Sequence, residues 1–109
     1  MDLARRRKQP LPDVVCFHCQ QAAEKYLKAC LEEDAVKFPK THDVESLLAL
    51  LIPLRPMLSP LTSAAKRLTP FGVLIRYPGN DATPSQARQA LVDWKLIRKE
   101  ARFSLGLPT

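Results

Sequence analysis

Apolar positions in this chain recur at helical spacing, and prolines separate one run from the next. From about Asp13 to Glu33, Val15, Cys19, Ala22, Ala23, Tyr26 and Cys30 fall on one face, with Gln21, Glu24, Lys25, Lys28 and Glu32 on the other. Phe17 lies among those polar positions, an unusual place for a large aromatic, which makes it a candidate for contact with another subunit. A second helix is predicted to start near Thr41, the candidate cap, and to run through Val44, Leu47, Leu48 and Leu51 to Pro53. Ser59-Pro60 predicts the start of a third, carrying Leu61, Ala64, Ala65 and Leu68. Phe71 to Thr83, with Gly72, Pro78, Gly79, Asn80 and Asp81, reads as a loop. Thr83-Pro84-Ser85-Gln86 is then the strongest start signal in the chain, a capping box with proline at the first helical position. The last helix is predicted to bury Ala87, Ala90 or Leu91, Trp94, Ile97, Ala101 and Leu105, and to stop at Gly106 and Pro108.

Four antiparallel helices with short or medium connections predict an all-α fold, an up-and-down helical bundle. At 109 residues there is room for one core, with a basic leader over 1–12, the bundle over 13–105 and a tail over 106–109. No unbroken apolar stretch is long enough to cross a bilayer, and Arg5-Arg6-Arg7-Lys8 is followed by no apolar run of the secretory kind. The expectation is a cytoplasmic protein without membrane contact.

The formal charge is +6, of which the first nine residues contribute +3. Arg88, Lys95, Arg98, Lys99 and Arg102, against Asp93 and Glu100, make the last helix the other basic element. Such a balance suits a polyanion such as RNA, and equally a merely solvated helix face. Cys16 and Cys19 have C-x-x-C spacing, but a structural zinc needs four ligands, and Cys30, His18 and His42 are all that remain to complete it. The thiols read as small buried apolar groups, with no metal and no cofactor. His18 is expected at the edge of the core, and His42 as a structural group at a helix start.

Three motifs stand in order: Phe17-His18-Cys19-Gln20-Gln21-Ala22-Ala23-Glu24-Lys25-Tyr26-Leu27-Lys28-Ala29, then Pro39-Lys40-Thr41-His42-Asp43-Val44, then Arg76-Tyr77-Pro78. Together they resemble the HEPN domain family over roughly residues 13 to 105. The resemblance implies a helical bundle that usually opens with a long helix, here short or missing, so that either the chain starts further upstream or a groove is left open. It also implies pairing into homodimers, and frequent partnership with a minimal nucleotidyltransferase in toxin–antitoxin-like pairs. Ribonucleases of the family join an arginine to a histidine a few residues later. Here no histidine follows Arg76, and without it no group is evident to move the ribose 2′-hydroxyl proton. Arg76 and Tyr77 can still bind phosphate and stack on a base, or can anchor the loop. No Gly-rich phosphate cradle is present, so the chain is not expected to transfer nucleotides.

The sequence therefore supports a binding module for nucleotide or RNA, with Arg76, Tyr77, Lys95, Arg98 and Arg102 as candidate contacts. The alternatives are an active metal-independent ribonuclease toxin and a structural or regulatory subunit whose groove accepts a partner helix. Whether the chain is an enzyme stays open, and the incomplete Arg–His motif points away from it.

Overall fold

The computed structural model describes residues 11–72 and 81–109. Four α-helices form a bundle: α1 (Leu11–Glu33), α2 (Val44–Leu51), α3 (Thr62–Leu68) and α4 (Pro84–Ser104), and no strand occurs among the described residues. Two 3-10 segments, Pro56–Leu61 and Thr69–Phe71, flank α3. The candidate loop residues Arg76 and Tyr77 lie outside the described residues.

The core is aliphatic. Leu27 and Leu31 of α1, Leu47, Leu48 and Leu51 of α2, Leu58, Leu61 and Leu68, and Ile97 of α4 are all fully buried. At ~25 cal/mol per Å2 of apolar surface removed from water, these leucines supply most of what drives the helices together. The buried stripe of α1 is centred on Cys16, Ala23, Leu27 and Leu31, to one side of the predicted stripe, so Val15 and Tyr26 are only partly covered. On α4 the core takes Ala90 and leaves Leu91 exposed.

The pairings between elements set their directions. Asp13, near the start of α1, accepts from the Ala82 backbone N–H just before α4 (2.8 Å). At the far end Arg55 forks onto both carboxylate oxygens of Asp34 (2.7 and 2.8 Å) and donates to the Ser104 carbonyl at the end of α4. So α1 and α4 run the same way. The start of α2 lies beside the middle of α1, where Gln20 donates to the His42 carbonyl, and Arg55 just past its end reaches Asp34. Segment 34–43 must therefore return along α1 before α2 begins. From α2 onward the chain alternates: Thr69, after α3, accepts from Glu45 N–H in the first turn of α2 (3.1 Å), and Arg67 of α3 clasps Asp93 of α4. The expected bundle forms, with strict up-and-down order only over α2, α3 and α4.

Local chemistry accounts for the boundaries. The Thr83 hydroxyl accepts from Gln86 N–H (3.0 Å) and the Gln86 side chain from Thr83 N–H (2.8 Å), the reciprocal box that the sequence announces. The cap of α2 is Asp43, whose carboxylate accepts from Ser46 N–H (3.1 Å). Thr41 is displaced from that role by two residues: its hydroxyl accepts from Asp43 N–H (3.1 Å) and so shapes the turn leading to the cap. The third helix also starts later than Pro60. Pro56–Leu61, with Pro60 inside it, winds as 3-10, and regular α-helix begins at Thr62.

Helices α1 and α4 end in the same motif with different residues. In α4, Gly106 adopts φ +77°, with Gly106 N–H on the Phe103 carbonyl and Leu107 N–H on that of Arg102. In α1 the corresponding bonds run from Ala35 to Glu32 and from Val36 to Leu31, and Ala35 takes φ +56°. The Cβ makes that conformation unfavourable by about 1–2 kcal/mol. Ala35→Gly is therefore expected to stabilise the protein by about 0.5–1 kcal/mol, the relief being partly offset by the freer unfolded chain. Chemical denaturation of wild type and variant measures it.

Candidate functional site

Gln20, Glu24 and Lys28 are spaced four apart, so they rise along one side of α1. Gln20 and Glu24 are buried there, Glu24 with a side chain only 8% exposed. This reverses the expectation that Glu24 belongs to the solvated face. Three partners make it tolerable. Lys28 Nζ donates to Oε2 (2.8 Å), Gln20 Nε2 donates to Oε1 (3.2 Å), and His42 Nδ1 lies 2.9 Å from Oε1. An ionised carboxylate only accepts, so Nδ1 carries the hydrogen of this last bond. Burial alone would raise the carboxyl pKa of Glu24, but the hydrogen bonds from Lys28, His42 and Gln20 outweigh it and hold the pKa below its ordinary value.

The cluster extends past α1. Gln20 also donates to the His42 carbonyl, and its Oε1 accepts from Gln21 (2.8 Å), so the amide ties α1 to the entry of α2. Gly72 closes the other side. A Cβ at that position would stand 3.4 Å from His42 Cβ and 3.5 Å from Gln20 Nε2. The point where the chain leaves for residues 73–80 is thus seated on Gln20 and His42. The His42 ring bonds across to Glu24 of α1, and its side chain remains 67% exposed. With Asp43, Thr69, Pro70 and Gly72 it lines a shallow depression of about 230 Å3. His18, expected at the core edge, is exposed, with its ring 5.7 Å from that of Phe17, which is half-buried.

The second region is α4. Asp93 is buried and gripped at both oxygens by Arg67 (2.9 Å each), and Gln89 adds a third donor (3.0 Å). The pairing holds the Arg67 guanidinium above its ordinary pKa. The only acid in the middle of α4 is therefore turned inward, away from the basic face. On that face Lys95 is exposed, and neither Lys95 nor Arg98 pairs with a carboxylate among the described residues. Arg102 is already engaged: Nη1 donates to the Tyr26 hydroxyl (3.1 Å) and Nε to the Pro108 carbonyl (2.7 Å). The Arg102 hydrogen bond lowers the Tyr26 pKa, and the Tyr26 ring meets that of Trp94 at 5.5 Å.

The three cysteines are buried, and none is in a disulfide. Burial, reinforced by Cys16 and Asp93, pushes Cys19 up to about 11, and burial likewise raises Cys30. Neither is a thiolate near neutral pH. No group of metal-binding side chains occurs among the described residues.

Because the folded-state pKa of Glu24 is depressed, the unfolded chain binds the extra proton first as pH falls. Its contribution to stability is then present above the ordinary carboxylate range and lost as pH drops through the folded value. Asp43, lowered chiefly by the Ser46 backbone hydrogen bond, acts in the same window. Glu24→Gln is expected to cost about 1–3 kcal/mol at pH 7, since buried donors lose a charged acceptor, and to flatten the stability loss below pH 5 without abolishing it. Urea unfolding across pH 3 to 7 tests both effects.

The sequence motifs converge on these elements: the Gln-Gln-Ala-Ala-Glu-Lys run builds the polar cluster, and Thr-His-Asp supplies its cross-link and the cap of α2. The family model for the HEPN domain matches residues 5–103. No curated protein and no solved structure matches the chain. With nearly its whole length covered by that match and its helices bundled around those motifs, the chain belongs to the HEPN domain family.

Proposed function

We propose that this HEPN protein is a non-cleaving interaction module that binds a nucleotide or RNA, or partners a minimal nucleotidyltransferase in a toxin–antitoxin-like pair, or does both. The observation that carries the binding reading is the charge layout of α4. Arg88, Lys95, Arg98, Lys99 and Arg102 fall within one half of the helix circumference. Asp93 points into the bundle on Arg67, and Glu100 lies on the opposite half. A face with cations and no carboxylate among them neutralises phosphates without first breaking its own ion pairs. In this reading Arg76 and Tyr77 complete the surface, supplying a guanidinium for phosphate and a ring for a base. The ribonuclease alternative is disfavoured because no histidine follows Arg76, and because His42 has one ring nitrogen committed to Glu24.

Binding of labelled single-stranded RNA is expected to be weak and to fall steeply between 50 and 200 mM salt. The double variant Lys95→Glu/Arg98→Glu is expected to weaken it at least tenfold, and Arg76→Ala severalfold with unchanged helicity. Incubation with chelator present is expected to leave the RNA intact. Cleavage that disappears in Arg76→Ala would establish the ribonuclease reading instead.

The same module is read as a homodimer. Val92, Leu96 and Phe103 of α4 are 60%, 42% and 66% exposed and share one outward face, a stripe that a monomer has little reason to keep. Phe17 is a further candidate contact. Light scattering at micromolar concentration is expected to give twice the chain mass, and Val92→Glu/Phe103→Glu to return it to the monomer value. A monodisperse wild-type monomer would overturn the dimer.

A further inference from the structure

A groove of about 510 Å3 runs between α1 and α4, lined by Val14, Val15, Ala22, Leu91 and Trp94, with His18 and Lys25 at its edge. From Val14 to Lys25 it follows α1 for about 17 Å, at 1.5 Å per residue, or three helical turns. Its floor is mostly apolar, with Cys19 beside the aliphatic residues and Trp94, and Gln21 adds an uncharged polar contact. Ala22 stands in the middle, where a small side chain admits the backbone of another helix.

The rim has one sign. Lys25 borders the groove from α1. From α4, Lys95 and Arg98 follow Leu91 by one and two turns on the same side of the helix, and Arg88 precedes it by one. The carboxylates that could offset them are occupied elsewhere: Asp13 on the Ala82 N–H, Glu24 on Lys28 and His42, Asp93 on Arg67.

An apolar floor between cationic edges is complementary to an amphipathic helix with acidic flanks. We propose that the α1–α4 groove receives about three turns of such a helix from a protein partner, with Leu, Ile or Met at i, i+3 or i+4 and i+7 against Ala22, Leu91 and Trp94, and Glu or Asp beside Lys25, Lys95 and Arg98. This rests on the interaction-module reading above and names the chemistry of the partner. Other occupants fit less well. A two-fold copy of this chain in the same groove would set Lys25, Lys95 and Arg98 against their own equivalents. Residues 1–10 carry Arg5, Arg6, Arg7 and Lys8 against Asp2 alone, the wrong sign for this rim. Single-stranded nucleic acid needs open aromatic faces, whereas Trp94 is the only indole and is already packed on Tyr26.

Trp94, the sole tryptophan, reports directly on occupancy. The probe is a capped 14-residue helical peptide without aromatic residues, with leucines on one face and glutamates flanking them, and a control carries lysines in place of the glutamates. The acidic peptide is expected to shift Trp94 emission to the blue with saturation, at least tenfold tighter than the lysine control, and more weakly as salt rises. Ala22→Arg is expected to abolish the shift and Arg98→Glu to weaken it at least threefold, both with unchanged helicity by circular dichroism. Equal binding of the two peptides, no binding of the acidic one, or normal binding to Ala22→Arg would overturn the proposal. So would a wild-type dimer that Ala22→Arg dissolves, which would make a second copy the occupant. Single-stranded RNA titrated into the same proteins separates the two readings. RNA binding without peptide binding fails the groove alone, RNA that saturates the Trp94 shift replaces the helix as occupant, and loss of both fails the module reading itself.

Discussion

Everything near the candidate site depends on one buried carboxylate. Glu24 is taken out of water against a desolvation penalty of several kcal/mol, and it stays ionised because Lys28, Gln20 and His42 direct three donors at it. Those donors come from α1 itself and from the residue just before the cap of α2. Satisfying the charge therefore fixes how α2 enters the bundle. Gln20 carries the constraint further, holding the His42 carbonyl while Gly72 packs beside both residues. A motif that looks like surface polarity on paper is the joint at which three segments meet.

The same logic recurs at the other two junctions. Arg67 on Asp93 ties α3 to α4, and Arg55 on Asp34 with the Ser104 carbonyl ties the ends of α1 and α4 through the turn after α2. Both are forked arginine–carboxylate pairs, whose geometry gives orientation along with energy. Internal pairing leaves the net charge unchanged but moves where charge is displayed. Acids go inward, and Lys25, Lys95 and Arg98 remain outside beside an apolar groove. That redistribution, more than the total of +6, decides which charges the surface displays.

Helix periodicity, prolines and the Thr83 capping box determined the fold class and most boundaries from the chain alone, because those signals act within one turn and need no neighbour. The motif residues likewise made the family legible. What escaped were facts about pairs. The 3.6-residue period placed Glu24 outside, since nothing local announces that Lys28 and His42 will compensate its charge. The spacing of Gln20, Glu24 and Lys28 was the available signal, one face carrying a donor, an acceptor and a cation. Thr41 was the cap read from the chain, whereas Asp43 takes the role, bonding Ser46 N–H and receiving the Thr69 hydroxyl from the end of α3. The parallel course of α1 and α4, the inward turn of Asp93 and the groove left between the helices were decided by tertiary structure. Each depends on where a distant segment lies, which apolar periodicity along a single helix does not encode.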